Sequence, residues 1–186
     1  YILTSNKIFY KTIEKLMSSN RDSILTDNEG NIVMVNMFQY YLKKNLFSSV
    51  GEIKIIDTNK NKYFFKELHV DTKKKEMIGS DISVILDQEN FGVSKESDPR
   101  FVANDIFISE NKSTLSNGVF TICQKKEGRC PPWILQAKKI VHDNIKKTIY
   151  YENATLKVYD VPIFYFPRFN HPDPTVKRRS GFLTPF

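Results

Sequence analysis

The sequence predicts an all-β protein, because it is rich in aromatic residues, poor in alanine and built from a repeated hairpin pattern. Aromatic residues make up 13% of its 186 residues, with 14 Phe and 9 Tyr. Alanine, the best helix former, occurs only at Ala103, Ala137 and Ala154, whereas aromatic and β-branched residues favour strands. The length suits a single domain, and the chain is 40% apolar and 26% charged, as folded domains are. We expect no helix longer than two turns.

The repeat has five units, each built around an apolar anchor residue. The anchors are Ile8, Phe38, Leu68, Ile106 and Ile140, which are 30, 30, 38 and 34 residues apart. Nine residues after each anchor stands a second apolar residue, at Met17, Phe47, Met77, Leu115 and Ile149. Between the two lies a polar turn, so each unit predicts a strand, a turn and a strand. The alternative is an ordinary β-sandwich whose hairpins have similar lengths.

Side-chain alternation predicts that these strands have one buried face and a bend. The second strands alternate apolar and polar residues over 53–55, 82–86 and 154–158. The apolar residues occupy odd-numbered positions up to Ala137 and an even-numbered position at Ile140, a change of parity. The same three-residue step between apolar residues recurs at 65–68 and 103–106. A parity change is typical of a bulge or bend, and its repetition would fold the whole sheet over. The shared interior is predicted to hold the five anchors together with Trp133, Leu156 and Val158.

The two cysteines, Cys123 and Cys130, have a spacing that suits a metal site poorly. Glu127-Gly128 and Pro131-Pro132 break any strand there, so we expect both cysteines in a loop between the fourth and fifth hairpins. A disulfide in an oxidising compartment is favoured over free thiols.

No catalytic motif is found in the sequence. The three histidines are far apart, and nucleophile-elbow, zinc-protease, P-loop and dinucleotide signatures are missing. We therefore predict a protein that is not an enzyme and uses no metal or cofactor. The net charge of +7 suits nucleic acid, an anionic lipid or neither. The basic stretch 177–179, directly before the apolar residues 180–183, suggests a chain that passes from water to a membrane-level element.

The C-terminal third carries a resemblance to a known family. Residues 161–167 (VPIFYFP), 171–185 (HPDPTVKRRSGFLTP) and 151–156 (YENATL), with the Trp133-x-Leu135-x-Ala137 pattern after Cys123, are similar to the outer-membrane lipopolysaccharide-assembly proteins, also called organic solvent tolerance proteins. From residue 1 to 122 the resemblance depends on the repeat alone. The start at Tyr1 and the apolar run at the end lead us to expect a fragment of a longer protein.

The resemblance implies a periplasmic open β-jelly-roll (a β-taco) over residues 1–160, a linker over 161–179 and the first strand of an outer-membrane β-barrel over 180–186. The residues that it assigns to the linker and barrel junction are Pro162, Tyr165, Pro167, Arg178, Arg179, Gly181 and Phe182. Family members form disulfides between this domain and the barrel. Here the two cysteines could pair with each other, or each could reach into a barrel.

The resemblance also implies a function in the Gram-negative cell envelope, on the periplasmic side of the outer membrane. Lipopolysaccharide would pass along an apolar groove from a periplasmic bridge protein of similar fold, docked at the N-terminal edge, to a barrel plugged by an outer-membrane lipoprotein, with no nucleic acid involved. The groove residues would be the interior set predicted above, Ile8, Phe38, Leu68, Ile106, Trp133, Ile140, Leu156 and Val158. A basic, aromatic-rich β module that binds glycan or nucleic acid is the main alternative, and a purely structural spacer is another.

Overall fold

The computed structural model describes residues 2–91, 93–124, 132–172 and 176, and over these residues the predicted all-β class is confirmed. The strands are β1 Ile2–Ser5, β2 Phe9–Lys11, β3 Leu16–Ser19, β4 Ser23–Thr26, β5 Ile32–Val35, β6 Phe38–Tyr41, β7 Leu46–Ile56, β8 Lys62–Asp71, β9 Glu76–Ile85, β10 Arg100–Ile108, β11 Lys112–Thr121, β12 Trp133–Asp143, β13 Thr148–Val158 and β14 Val161–Pro172. One four-residue helix, α1 (Gln88–Phe91), follows β9. In the described part of the chain, no helix is long and apolar enough to cross a membrane.

All fourteen strands belong to one antiparallel sheet that divides into two branches towards the N-terminus. From β14 back to β7, the long strands pair in sequence order. At β7 the sheet divides, because residues 53–56 pair with β5 and residues 46–48 pair with β6. One branch continues from β5 through β4 to β1, and the other continues from β6 through β3 to β2. Each pair of short strands therefore corresponds to one long strand that has been interrupted.

A bend crosses every long strand at the same level. The residues at this level, which we call the crease, are Gly51, Lys66, Asp81, Asn104, Asn117, Lys138, Asn153 and Pro167, and the strand pairing is interrupted at each of them. On alternate strands the crease residue has a positive φ, of 112° at Gly51 and of 50–52° at Asp81, Asn117 and Asn153. These residue types tolerate the left-handed conformation better than others do, because Gly lacks a Cβ and Asn and Asp have short polar side chains.

The crease divides the sheet into two halves. Half A contains β1, β4, β5 and the strand segments that continue from them, and half B contains β2, β3, β6 and theirs. Apolar side chains from both halves pack in one buried cluster, with Val35, Ile53 and Phe65 from half A and Phe38 and Leu68 from half B. The three-residue steps at 65–68 and 103–106 join buried residues on either side of the crease. The predicted bulge or bend is therefore present as an irregularity in the strands, and residues on both sides of it share one buried cluster.

The hairpin repeat is present in the strand register. The residues two and nine positions after the anchor face each other in four units, as at Tyr40 and Phe47 or Val70 and Met77. In the fourth unit Leu115 faces the anchor Ile106 itself, because this hairpin is two residues shorter: four residues lie between the paired Ile108 and Ser113, whereas six lie between Val70 and Met77.

Three sequence-based expectations need correction. Ile8 lies in the break between β1 and β2 and is 43% exposed, so the first anchor does not enter the interior. Residues Val161–Pro172, expected to be part of a linker, form β14 and pair with β13 along their length. Among the described strands, β14 lies at the edge of the sheet. Prolines are tolerated in an edge strand because the N–H that they lack can face solvent, where no hydrogen bond to a neighbouring strand is lost. The interior is also not one uniform cluster, since Ala137, Tyr151 and Ala154 form a second, smaller one that Ile140 joins to the first.

Two glycines in the strands are required by close packing across the interior, and they give a matched test. A Cβ on Gly79 would lie 2.7 Å from the Phe65 ring, whereas a Cβ on Gly118 would meet mainly the mobile Cδ1 tip of Ile140. We predict that Gly79→Ala lowers the free energy of unfolding by about 1–3 kcal/mol, since a ring in a packed core cannot move aside. Gly118→Ala should cost less, and urea denaturation of both variants is the measurement. A larger loss for Gly118→Ala would contradict this account of the core.

Candidate lipid-binding interior and its rims

The inner face brings together most of the predicted groove residues. Phe38, Leu68 and Ile106 belong to the larger buried cluster, and half-buried Ile140 packs against both clusters. The buried cluster is flanked by half-buried apolar residues of both halves, namely Val33, Ile55, Tyr63 and Phe101 in half A and Phe47, Val70, Met77 and Ile108 in half B. The interior is thus a long apolar layer with a fully buried centre and partly accessible margins.

The fifth unit lines the same face with smaller residues. Trp133 faces Val158, and Leu156 lies between Leu135 and Phe164 on the neighbouring strands. Trp133, Leu156 and Val158 are all half-buried, so they line the inner face without joining the buried clusters. At the centre of this part, the paired residues Gly118, Ala137 and Ala154 take the place of larger side chains.

A row of aromatic rings covers the inner face of β14 and was missed by the sequence analysis. Phe169 stacks on Tyr151 with ring centroids 4.4 Å apart, and Phe166 lies 5.3 Å from Phe169. The ring centroid of Phe164 lies 6.3 Å from that of Phe166, so Phe164 continues the row. The spacing Phe164-x-Phe166 followed by a three-residue step to Phe169 is the same parity change as in the other units. That spacing could have identified a strand here, although Pro162 and Pro167 suggested a linker.

The Tyr151 hydroxyl is held inside this aromatic row. It lies 3.0 Å from Nε2 of His171, whose ring stacks beside Tyr151 with centroids 5.4 Å apart. Burial raises the pKa of Tyr151 to about 12, so the phenol stays neutral at physiological pH. The Tyr151 hydroxyl and Nε2 of His171 therefore form a hydrogen-bonded pair within the aromatic row.

Both outer strands of the sheet expose apolar side chains. On β14, Ile163 and Tyr165 point outward while Phe164, on the inner face, is 58% exposed. Tyr165 also donates a hydrogen bond of 2.6 Å to Oδ1 of the crease residue Asn153. At the opposite end of the strand order, Ile2 on β1 is exposed, as is Tyr10 on β2. Among the described strands, β1, β2 and β14 each pair on one side only, so each retains an open backbone edge.

The strand connections form two rims with opposite charge. The basic rim ends half B and comprises residues 12–15, 42–45, 72–75, 109–111 and 144–147. The acidic rim ends half A, and the residues of it that the structure describes are 27–31, 57–61, 86–91, 93–99, 122–124, 132 and 159–160. The basic rim carries Lys15, Lys43, Lys44, Lys73, Lys74, Lys75, Lys146 and Lys147 against Glu14 and Glu110. The described part of the acidic rim carries Asp27, Glu29, Asp57, Asp87, Glu89, Glu96, Asp98 and Asp160 against Lys60 and Lys95.

Neighbouring turns of the basic rim are joined by backbone hydrogen bonds. The N–H of Leu42 donates to the carbonyl of Lys15, and the N–H of Thr72 donates to the carbonyl of Asn45. The turn at 144–147 is joined in the same way to Asn111. These bonds join the first three turns to one another and the fourth turn to the fifth, so the lysines stand on ordered turns.

Aspartates hold the turns of both rims in repeated conformations. In the acidic rim, Asp27 accepts hydrogen bonds from the backbone and side-chain amides of Asn31, and Asp57 does the same for Asn61. Burial raises the pKa of Asp27, but these bonds outweigh it and lower the pKa overall. In the basic rim, Asp143 accepts from the N–H groups of Lys146 and Ile145 at 2.9 and 3.1 Å. The Lys146 N–H contributes most to the lowered pKa of Asp143.

The lowered pKa of Asp143 predicts a stability difference that depends on pH. A carboxylate whose pKa is lower in the folded state stabilises the fold above the unfolded-state pKa of about 3.9, and this stabilisation is lost as pH falls through the folded-state pKa. We expect Asp143→Asn to lower the denaturation midpoint at pH 7, with a difference from the unchanged protein that shrinks below about pH 4. Asp105→Asn, at an exposed β10 position, is the control. A difference that does not change between pH 7 and acid would refute the role given to Asp143.

The two cysteines and the predicted junction residues lie partly within the described residues and partly outside them. Cys123 is half-buried in the connection between β11 and β12, as predicted, with its Sγ 3.9 Å from the Trp133 carbonyl oxygen. Cys130 lies outside the described residues, so its pairing stays a prediction. Of the junction residues, Pro162, Tyr165 and Pro167 lie in β14, whereas Arg178, Arg179, Gly181 and Phe182 fall outside the described residues.

Comparison with known proteins finds similarity to LPS-assembly proteins. No protein-family model matches the chain. LPS-assembly protein LptD of Alcanivorax borkumensis is 33% identical over 90 residues, which is 48% of this chain and 11% of that protein. LptD of Escherichia coli K12 is 42% identical over 77 residues, 41% of this chain and 9% of that protein. LptD of Yersinia pestis is 37% identical over 71 residues, 38% of this chain and 9% of that protein.

These matches bear out the resemblance seen in the sequence, over a limited length. Each aligned segment covers less than half of this chain, and the chain spans only about a tenth of the relatives that it matches. Over that length, this all-β chain is similar to the LPS-assembly proteins LptD.

Proposed function

We propose that this chain takes part in lipopolysaccharide assembly by conducting the lipid along the interior of its folded sheet. The observation that carries the proposal is the apolar layer between half A and half B, which runs across successive hairpins. The similarity to proteins named for LPS assembly supplies the substrate class. The envelope of a Gram-negative cell, on the periplasmic side of the outer membrane, is the location that fits this role.

An apolar interior suits acyl chains for a simple energetic reason. Each methylene moved from water to an apolar surface gains about 0.8 kcal/mol, so even a partly covered chain of ~12 carbons is held firmly. A series of similar hairpins offers similar surroundings at each step, which allows a lipid to advance without a deep trap. The reaction is transfer between binding positions, so the proposal involves no covalent chemistry, metal or cofactor.

The centre of the interior is closed in this structure. Ile53, Leu68 and Ile82 are among its most completely buried residues, with less than 2% of their surface exposed. Acyl chains would therefore have to separate half A from half B, and the crease is where such a movement would occur. The half-buried margins, such as Val70 and Ile108, are the surfaces that a lipid would meet first.

The groove residues and the partners belong to the same proposal. Phe38, Leu68, Ile106, Ile140, Trp133, Leu156 and Val158 would contact the acyl chains, and Ile8 is left out because of its exposure. We propose that a periplasmic bridge protein of similar fold pairs with the exposed N-terminal edge, where Ile2 and Tyr10 lie. At the other end, a jelly-roll spanning 1–160 would pass through β14 and the residues up to 179 into a barrel strand at 180–186, with a lipoprotein inside the barrel.

A glycan or nucleic-acid module is the second candidate, because three lysines lie over aromatic rings. Lys7 is 4.7 Å from the Phe9 ring centroid, and Lys54 is 6.0 Å from that of Phe64. The third pair, Lys44 and Tyr41, lies at the basic rim. These pairs are divided between half A and half B, so they do not build one stacking surface. The lipid function is therefore supported better.

Photo-crosslinking in cells tests the lipid function directly. A photoreactive phenylalanine analogue would replace Leu156 or Ile108 on the inner face, in the whole protein that contains this chain. We expect lipopolysaccharide adducts at both positions, because acyl chains would lie against them. The matched outer-face positions Thr155 and Phe107 should give few adducts. Equal labelling at inner and outer positions, or none at all, would contradict the proposal.

Substitution tests whether the lipid uses this face for transport. Leu156→Asp would place a carboxylate among acyl chains, at a cost of several kcal/mol, and we expect surface delivery of lipopolysaccharide to fall at least tenfold. Leu156→Phe keeps the surface apolar and should retain most delivery. Thr155→Asp, one residue away on the outer face, is the control for charge. Normal delivery by a stably produced Leu156→Asp protein would favour a structural spacer instead.

A further inference from the structure

The two rims differ in charge in a way that an apolar interior alone does not require. The basic rim holds eight lysines against two glutamates, and the described part of the acidic rim holds eight acidic residues against two lysines. The net charge of +7 does not predict this separation, because charges of both signs occur along the whole sequence. The fold produces it by placing alternate strand connections at opposite ends of the sheet.

We propose that the basic rim binds the phosphate groups of a phosphorylated glycolipid while its acyl chains lie in the interior. This proposal rests on the function proposed above and adds an orientation to it. The sugar and phosphate part of the lipid would leave the interior at the end of half B, and the acidic rim would repel it from the end of half A. The basic rim is thus a headgroup track that runs beside the acyl groove.

The spacing of the turns supports a track better than a single site. Neighbouring strands lie about 4.8 Å apart, so successive hairpin turns recur roughly every 10 Å along the rim. This distance is close to the Debye length of about 8 Å at physiological ionic strength, so the potential of one turn overlaps that of the next. Backbone hydrogen bonds join the turns at Leu42 and Thr72 to the turns before them. A phosphate could therefore move between the turns at 42–45 and 72–75, which carry five of the eight lysines, whereas the turn at 109–111 carries Glu110 and no lysine.

The lysines are suited to weak, repeated contacts. Lys43, Lys44, Lys73 and Lys74 are exposed, and the pairing of an exposed ammonium with an anion contributes only about 0.2–1 kcal/mol. No single turn would trap the headgroup, whereas several lysines together would set its orientation. A lysine is appropriate here because it acts as a flexible point charge and does not fix a phosphate in one geometry.

The test compares the binding of lipid A carrying both phosphates with that of the same lipid after their removal, by fluorescence titration of the full chain. We expect the phosphorylated lipid to bind about five- to twentyfold more tightly at about 0.05 M salt, and the preference to fall to about twofold at about 0.5 M salt. The triple variant K43Q/K44Q/K74Q should lose most of the preference. The control K60Q/K62Q/K95Q removes the same charge near the acidic rim and should keep it.

The outcomes separate this inference from the proposed function. If the unchanged chain binds both lipids equally well, or if both triple variants lose the preference equally, the headgroup track is wrong and the acyl groove stands. If neither lipid binds, the proposed function fails and the track fails with it. If about 5 mM inorganic phosphate removes the preference, the rim binds free phosphate and not a lipid headgroup, which also overturns the inference. Leu156→Asp should weaken the binding of both lipids by a similar factor.

Discussion

The crease is the constraint on which the rest of the structure depends. A β-strand alternates its side chains between two faces, so two buried residues three positions apart, such as Phe65 and Leu68, reach the same interior only if the strand is irregular between them. From β8 to β14 such an irregular residue lies at the same level in each strand, whereas β7 places two residues, Gly51 and Glu52, opposite Lys66 and keeps its parity. Gly51, Asp81, Asn117 and Asn153 provide the backbone conformation on alternate strands. Without that shared level, the apolar residues of half B would point into water.

The crease also explains why the N-terminal strands are short. Long strands from β7 onward pass through the bend without a break, whereas the earlier chain is interrupted there and continues as separate strands in each half. The residues between β1 and β2 include Ile8, which is why the first repeat anchor is exposed while the later ones are buried or half-buried. The same bend thus accounts for the two branches of the sheet and for the exposure of the first anchor.

The molecule has two kinds of surface with different physical properties, the inner face and the rims. The inner face is apolar because side chains from both halves must pack against each other. The rims are polar because they consist of the turns and loops between strands. In an antiparallel sheet, successive connections lie at the two rims in turn. A lipid with acyl chains and phosphates matches such a combination more closely than a glycan or a nucleic acid does. The aromatic row of β14 extends the apolar surface to the open edge of the sheet, beside the crease residue Asn153.

The sequence by itself determined the all-β class, the hairpin repeat, the parity change and the resemblance to LPS-assembly proteins. These features depend on local composition and short spacings, such as Phe65-x-x-Leu68, that a sheet requires wherever it lies. Only the tertiary structure decided that Ile8 stays outside, that Val161–Pro172 is a strand and that Phe164, Phe166 and Phe169 line the inner face. It also decided that the lysines and the carboxylates gather at opposite rims. The physical reason is that exposure, edge position and summed charge depend on which strands become neighbours, and a linear pattern of residues does not contain that information.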